Sequence, residues 1–107
     1  MNQKLVRDNI LEIIKLSWRK PIFHIAQEKE YKLELFNKLL EETNEVIQEQ
    51  KNKEKLKEEL WDLLEVFYSI LKLENISFDE IESIRKNKLL KNWWFEKRII
   101  LKQVLEK

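Results

Sequence analysis

The sequence contains no glycine and no cysteine, and it has one proline and one histidine among its 107 residues. Tight hairpin turns need glycine, so an all-β fold is close to excluded. Rossmann and P-loop phosphate sites also depend on glycine and are excluded outright. Without cysteine there is no disulfide, no thiol nucleophile and no Cys-ligated metal. The single histidine, His24, leaves no multi-histidine metal site and is better interpreted as a packing residue.

The composition predicts one folded domain spanning residues 1–107. Hydrophobic residues make up 43% of the chain and charged residues 38%, enough apolar surface for one modest core. No apolar run approaches the ~18 residues of a membrane span, and the first residues are too charged for a signal peptide. We therefore expect a soluble, cytoplasmic protein with no membrane partner.

Hydrophobic periodicity predicts four helices and an all-α bundle. The first covers residues 8–18 with Asp8 as its N-cap, and two long helices cover about 28–51 and 54–73. Ser77 and Glu80 have the spacing of a capping box, which opens a fourth helix ending near residue 91. The short apolar stretch 21–26 fits either an isolated strand or an extended linker.

Carboxylates interrupt the apolar arcs of both long helices. Drawn at about 100° per residue, Glu42 and Glu59 fall among core positions, and Glu45 and Asp62 follow three residues later on the same side. Burying carboxylates together is unfavourable unless a cation lies between them, and oxygen-only ligands favour Mg²⁺ or Mn²⁺. The alternative is coincidence, because 17 glutamates make such spacings common.

Charge is unevenly distributed although the net charge is only +1. Residues 28–66 carry twelve acidic and seven basic side chains, whereas residues 85–107 carry eight basic and two acidic ones. An acidic centre between basic ends suits a metal-bound polyphosphate. A Lys/Glu-rich helical surface is the simpler interpretation of the same pattern. A nucleic-acid-binding protein has little support, since no recognised motif is present.

Three segments together resemble the all-α NTP pyrophosphohydrolases, the MazG-like and phosphoribosyl-ATP pyrophosphohydrolase-like group. The family motif Glu-Glu-x-x-Glu reads Glu41-Glu42-Thr43-Asn44-Glu45 here, and after thirteen residues Glu-x-x-Asp reads Glu59-Leu60-Trp61-Asp62. Residues 4–10 and 95–101 are similar to the opening and closing segments of the phosphoribosyl-ATP branch. That branch often has proline where Leu11 stands, and glycine before the closing Phe, where this chain has Asn92-Trp93-Trp94.

The resemblance implies a four-helix bundle completed as a homo-dimer or homo-tetramer. It implies cleavage of a nucleoside triphosphate between the α and β phosphates, with nucleotide-pool house-cleaning as the role. The expected Mg²⁺ ligands are Glu42, Glu45, Glu59 and Asp62. Glu41 is expected to position or deprotonate the attacking water, or else to be an ordinary surface residue. The expected phosphate-binding residues are Lys4, Arg7, Lys97 and Arg98.

Two other functions remain open on the same fold. Histidine biosynthesis through phosphoribosyl-ATP is possible by resemblance and ranks below house-cleaning. A non-enzymatic helical interaction module, binding through its Trp-rich end, is the main alternative to an enzyme. The two classes differ in whether Mg²⁺ changes thermal stability, because a ligand that binds only the folded state stabilises it.

Overall fold

The computed structural model describes residues 3–107, which form four helices and no strand. The helices are α1 (Ile10–Leu16), α2 (Glu28–Gln48), α3 (Lys53–Leu73) and α4 (Phe78–Asn92). The predicted all-α class is therefore confirmed. Within the described range, no helix has both the length and the hydrophobicity needed to cross a bilayer. Internal contacts divide the chain into a first unit that ends at Asn75 and a second unit, Ile76–Lys107, so the single domain stays a prediction.

Helices α2 and α3 form an antiparallel hairpin, which is the main packing contact of the first unit. The turn between them closes at Asn52, whose side chain caps α3 by accepting a hydrogen bond from the Lys55 N–H at 3.2 Å. At the other end of the hairpin, Lys32 Nζ of α2 lies 2.8 Å from Glu74 Oε1, just beyond α3. The buried apolar residues of the hairpin are Leu35, Val66 and Leu71.

Helix α1 is shorter than the sequence predicts, and its predicted cap is wrong. Asn9 is the N-cap residue, and it makes no side-chain capping hydrogen bond. The Ile10 N–H donates to the Arg7 carbonyl at 3.0 Å, so Asp8 lies within a turn that precedes the helix. Residues 21–26 contain no strand, which leaves the extended linker as the correct interpretation.

In the second unit, α4 begins as predicted and ends at a strained residue. The Glu80 N–H donates to Ser77 Oγ at 3.1 Å, so Ser77 caps the helix. Trp93 follows α4 with φ 68° and ψ −169°, a region occupied almost only by glycine. This is the segment where the resemblance leads one to expect glycine. The departure noted in the sequence therefore coincides with a backbone conformation that favours glycine.

Replacing Trp93 with glycine should stabilise the protein. Relief of a strained backbone is worth about 1–3 kcal/mol, and the greater freedom of glycine in the unfolded chain offsets about 0.5–1 kcal/mol of it. We expect a net gain of roughly 1 kcal/mol in the free energy of unfolding, measured by urea denaturation. Trp94→Gly is the matched control, because Trp94 has no positive φ, and it should lower stability. Equal losses in both variants would contradict the strain argument.

The hairpin exposes large apolar side chains. On α2 they are Leu33, Phe36, Leu40 and Ile47, spaced three, four and seven residues apart, and on α3 they include Leu60 and Leu64. Such spacing places the α2 residues along one helix face. The homo-dimer or homo-tetramer implied by the resemblance would cover such a face, and it stays a prediction.

Candidate metal centre

The hairpin brings three carboxylates together at its middle. Glu42 comes from α2, and Glu59 and Asp62 come from α3, one turn apart. One carboxylate oxygen from each lies within 4.8 Å of the others. Three of the four predicted ligands therefore form one cluster. Glu45, the fourth, is not part of this cluster, and its role as a ligand stays a prediction.

The antiparallel register explains why these residues meet. Lys32 pairs with Glu74 across the hairpin, so Glu42, ten residues further along α2, lies opposite the part of α3 near residue 64. Asp62 is within one helical turn of that position, and the i,i+3 spacing adds Glu59 on the same face. Glu42 is only 9% exposed, and Glu59 and Asp62 are half-buried. The wheel analysis, which put Glu42 among core positions, is confirmed.

The cluster is electrostatically unfavourable as it stands. Burial, and then the charge of Asp62, raises the pKa of Glu42 above its ordinary value, while Lys38 opposes this shift. Burial also raises the pKa of Glu59, followed by the charges of Asp62 and Glu45. Glu45 thus lies close enough to act on the cluster through its charge. Carboxylates that repel one another in a partly buried site are relieved by a cation.

The donor set fits a hard divalent cation. All three groups offer carboxylate oxygen, the ligand type that Mg²⁺ and Mn²⁺ prefer. Ligands of one Mg²⁺ lie at most ~4.2 Å apart, twice the ~2.1 Å metal–oxygen distance. The observed spread of up to 4.8 Å needs only small side-chain rotations to reach this. The cluster is therefore compatible with a divalent metal.

Metal-free protein should become more stable as the pH falls toward the ordinary carboxyl pKa of 4.5. Between that value and the raised pKa of Glu42, the folded state binds more protons than the unfolded state, so stability falls as the pH rises. We expect the melting temperature in EDTA to decrease across this window. The Glu42→Gln variant should show a smaller decrease and a higher melting temperature at pH 7. Parallel pH profiles for the two proteins would contradict this.

Arg7 also contacts the cluster. Its Nη2 donates to Asp62 Oδ1 at 2.8 Å, and its guanidinium carbon lies 4.4 Å from the centre of the Trp61 ring. Arg7 precedes α1, and these two contacts bring the irregular N-terminal segment against α3. Arg7, predicted as a phosphate-binding residue, is therefore beside the predicted metal ligands.

A cavity of about 610 Å³ opens beside the cluster. Its walls come from residues 5–8 and from both helices of the hairpin, including Glu42 and Asp62. The apolar lining comprises Leu5, Val6, Leu35, Val66 and Leu73, and the remaining polar lining comprises Arg7, Asp8, Tyr31, Lys38, Glu65, Ser69 and Lys72. Half of the lining residues are charged and come from all three segments, so the cavity suits a charged small ligand.

The other predicted site residues lie in different surroundings. Glu41 is exposed, and its Oε1 is 3.5 Å from Lys38 Nζ. Lys4 is exposed and does not line the cavity. Lys97 and Arg98 belong to the second unit, where Lys97 Nζ lies 4.9 Å from the centre of the Trp93 ring and Arg98 lines a pocket of about 280 Å³. Substrate binding by Lys4, Lys97 and Arg98 stays a prediction.

Sequence reasoning missed Lys38. Lys38 Nζ lies 3.8 Å from Glu42 Oε1, and Lys38 lines the cavity. Lys38 is also the basic residue nearest to Glu42 in the sequence. The signal was present in the i,i+4 spacing between Lys38 and Glu42 on one helix. The contact between Trp61 and Arg7 was also missed, because no local pattern in the sequence indicates it.

Comparison with known proteins indicates the family of this chain. No curated protein and no solved structure matches the chain. Residues 12–88 match the phosphoribosyl-ATP pyrophosphohydrolase family. The match covers most of the chain and includes α2, α3 and all three clustered carboxylates. With its all-α fold and its acidic cluster, the chain belongs to the phosphoribosyl-ATP pyrophosphohydrolase family.

Proposed function

We propose that this protein is a Mg²⁺-dependent nucleoside triphosphate pyrophosphohydrolase, with Mn²⁺ as a possible substitute. It would cleave the bond between the α and β phosphates to give a monophosphate and pyrophosphate. Its biological role would be nucleotide-pool house-cleaning. The observation that carries the proposal is the cluster of Glu42, Glu59 and Asp62, two of which, Glu42 and Asp62, line a cavity that also presents Arg7 and Lys38.

The cluster would hold the cation through Glu42, Glu59 and Asp62, with Glu45 as a further carboxylate near enough to influence Glu59. When bound, a divalent cation neutralises phosphate charge and makes a coordinated water more acidic. The carboxylates keep their ionised form more readily beside such a charge. This explains why the family can tolerate a cluster that is unfavourable without metal.

The chain's own cations would bind and orient the phosphates. Arg7 presents a planar guanidinium at the cavity wall, suited to bidentate contact with phosphate oxygens. Lys38 presents an ammonium group 3.8 Å from Glu42 and 3.5 Å from Glu41. Cations held beside the developing negative charge stabilise the transition state more than the ground state.

Glu41 is the carboxylate available to orient a water or accept its proton. It neighbours Glu42 in the chain but is exposed, so solvent reaches it. Its Oε1 lies 3.5 Å from Nζ of Lys38, which lines the cavity, although Glu41 itself does not. The buried apolar residues Leu35 and Val66 also line the cavity.

Phosphoribosyl-ATP is a second candidate substrate, favoured by the family match over residues 12–88. Its cleavage breaks the same type of bond, between the α and β phosphates of a triphosphate. The carboxylate cluster serves both substrates equally, and the walls of the cavity would discriminate between them.

Product analysis tests the proposal directly. Purified protein is incubated with Mg²⁺ and a panel of ribo- and deoxynucleoside triphosphates and phosphoribosyl-ATP, and the products are separated by chromatography. Monophosphate with pyrophosphate from the common nucleotides supports house-cleaning. Reaction with phosphoribosyl-ATP alone supports the second candidate. No reaction with any substrate, together with a melting temperature indifferent to Mg²⁺, would favour the non-enzymatic interaction module.

A further inference from the structure

We propose that Arg7 and a divalent cation compete for Asp62, and that the entry of the cation releases Arg7 into the cavity. The inference rests on the proposed metal binding and adds a coupling between the metal ligands and the N-terminal segment. Arg7 is thus a positioning residue whose partner changes from Asp62 to phosphate as the site is loaded.

The contact between Arg7 and Asp62 uses an oxygen of a carboxylate that belongs to the metal cluster. Arg7 Nη2 lies 2.8 Å from Asp62 Oδ1, and Asp62 is one of the three clustered carboxylates. A guanidinium and a divalent cation on the same small carboxylate repel each other and compete for its lone pairs. The pair is half-exposed, with the Arg7 and Asp62 side chains 51% and 36% accessible, so it is a weak contact that a metal can displace.

The rest of the Arg7 environment allows such a movement. Arg7 lies in a segment without regular structure, before α1 begins at Ile10. Its second contact is the Trp61 ring, with the guanidinium carbon 4.4 Å from the ring centre. Residues 5–8 line the cavity, so a guanidinium that leaves Asp62 stays beside the space that a phosphate would fill.

Two consequences distinguish displacement from a static role. Removing the Arg7 charge should strengthen metal binding, because the metal no longer has to displace a competing cation. Metal binding should also break the stacking on Trp61 and change its fluorescence. If Arg7 instead remains on Asp62 and orients it while the metal uses the other oxygen, removing Arg7 should weaken metal binding.

The test measures Mg²⁺ binding to the full chain by calorimetry and by fluorescence, without any substrate. The fluorescence background carries Phe in place of Trp18, Trp93 and Trp94, so that Trp61 reports alone. Arg7→Gln should bind Mg²⁺ about fivefold more tightly than the parent protein. Its Trp61 emission should not respond to Mg²⁺, whereas the emission of the parent should. Arg19→Gln, at an exposed arginine, is the charge-matched control and should leave the affinity unchanged.

Equal or weaker Mg²⁺ binding by Arg7→Gln would overturn the displacement and leave the proposed enzyme intact. The displacement would also be overturned if calorimetry shows that the parent protein binds Mg²⁺ while its Trp61 emission does not change. Failure of the parent to bind Mg²⁺ at all would overturn both the displacement and the metal-dependent function. The three results are distinct, so failure of the inference is separable from failure of the proposed function.

Discussion

Asp62→Asn is expected to lower the rate of pyrophosphate release by about 10³-fold. Asn keeps the size of Asp62 but removes the charge that the cation needs, at the residue where Glu42, Glu59 and Arg7 meet. Metal stabilisation of transition-state charge is worth several kcal/mol, and each 1.36 kcal/mol changes the rate tenfold. The measurement is kcat/KM for the best substrate found in the product analysis, at saturating Mg²⁺.

The matched control for Asp62→Asn is Glu58→Gln. Glu58 is an exposed carboxylate on the same helix and lies outside the cluster, so its loss removes one negative charge without removing a ligand. We expect less than a threefold change in kcat/KM for this variant. If Asp62→Asn and Glu58→Gln have equally small effects, the reaction does not use the cluster. Circular dichroism of both variants checks that the helices remain.

Addition of Mg²⁺ is expected to raise the melting temperature substantially. A ligand present at 100 times its dissociation constant stabilises the folded state by about 2.7 kcal/mol. For a domain of about 100 residues each kcal/mol corresponds to about 4–8 °C, so saturation should raise the melting temperature by roughly 10 °C or more. The increase should be absent in Glu59→Gln, which loses one of the three clustered carboxylates.

Two controls define this second experiment. Glu58→Gln should retain the Mg²⁺-induced increase in melting temperature. KCl at matched ionic strength should not reproduce this increase, because K⁺ screens every exposed charge without binding specifically at the cluster. An increase of the same size in Glu59→Gln would place the metal elsewhere on the chain. A melting temperature indifferent to both Mg²⁺ and Mn²⁺ would count against the metal site altogether.

Periodicity predicted the helices that carry the site, since helix formation and amphipathic patterning are local properties of the chain. Glu42 and Glu59 lie in the apolar arcs of their helices, and these arcs face each other in the hairpin, so the two carboxylates belong to one cluster. Asp8 shows where local reasoning fails. Its residue type favours an N-cap. However, Asp8 lies within the turn closed by the hydrogen bond from the Ile10 N–H to the Arg7 carbonyl, and the helix starts after this turn.

Long-range contacts were beyond prediction from one sequence. The Arg7 guanidinium reaches Asp62 across 55 positions of the chain, and nothing in the neighbourhood of either residue indicates the other. The resemblance predicted a functional role for both residues without indicating that they touch. Trp93 is an intermediate case, because the substitution in a segment where relatives often have glycine was visible, whereas its positive φ needed coordinates.

The four-residue turn of the hairpin has a kinetic consequence. Glu42 and Asp62 are only twenty positions apart in the chain, so the contact between α2 and α3 is local and forms with little loss of chain entropy. Contacts of low sequence separation form early in folding. The step that brings the helices together is therefore also the step that brings the like charges together, and charge neutralisation at the cluster acts on the folding rate as well as on the final stability.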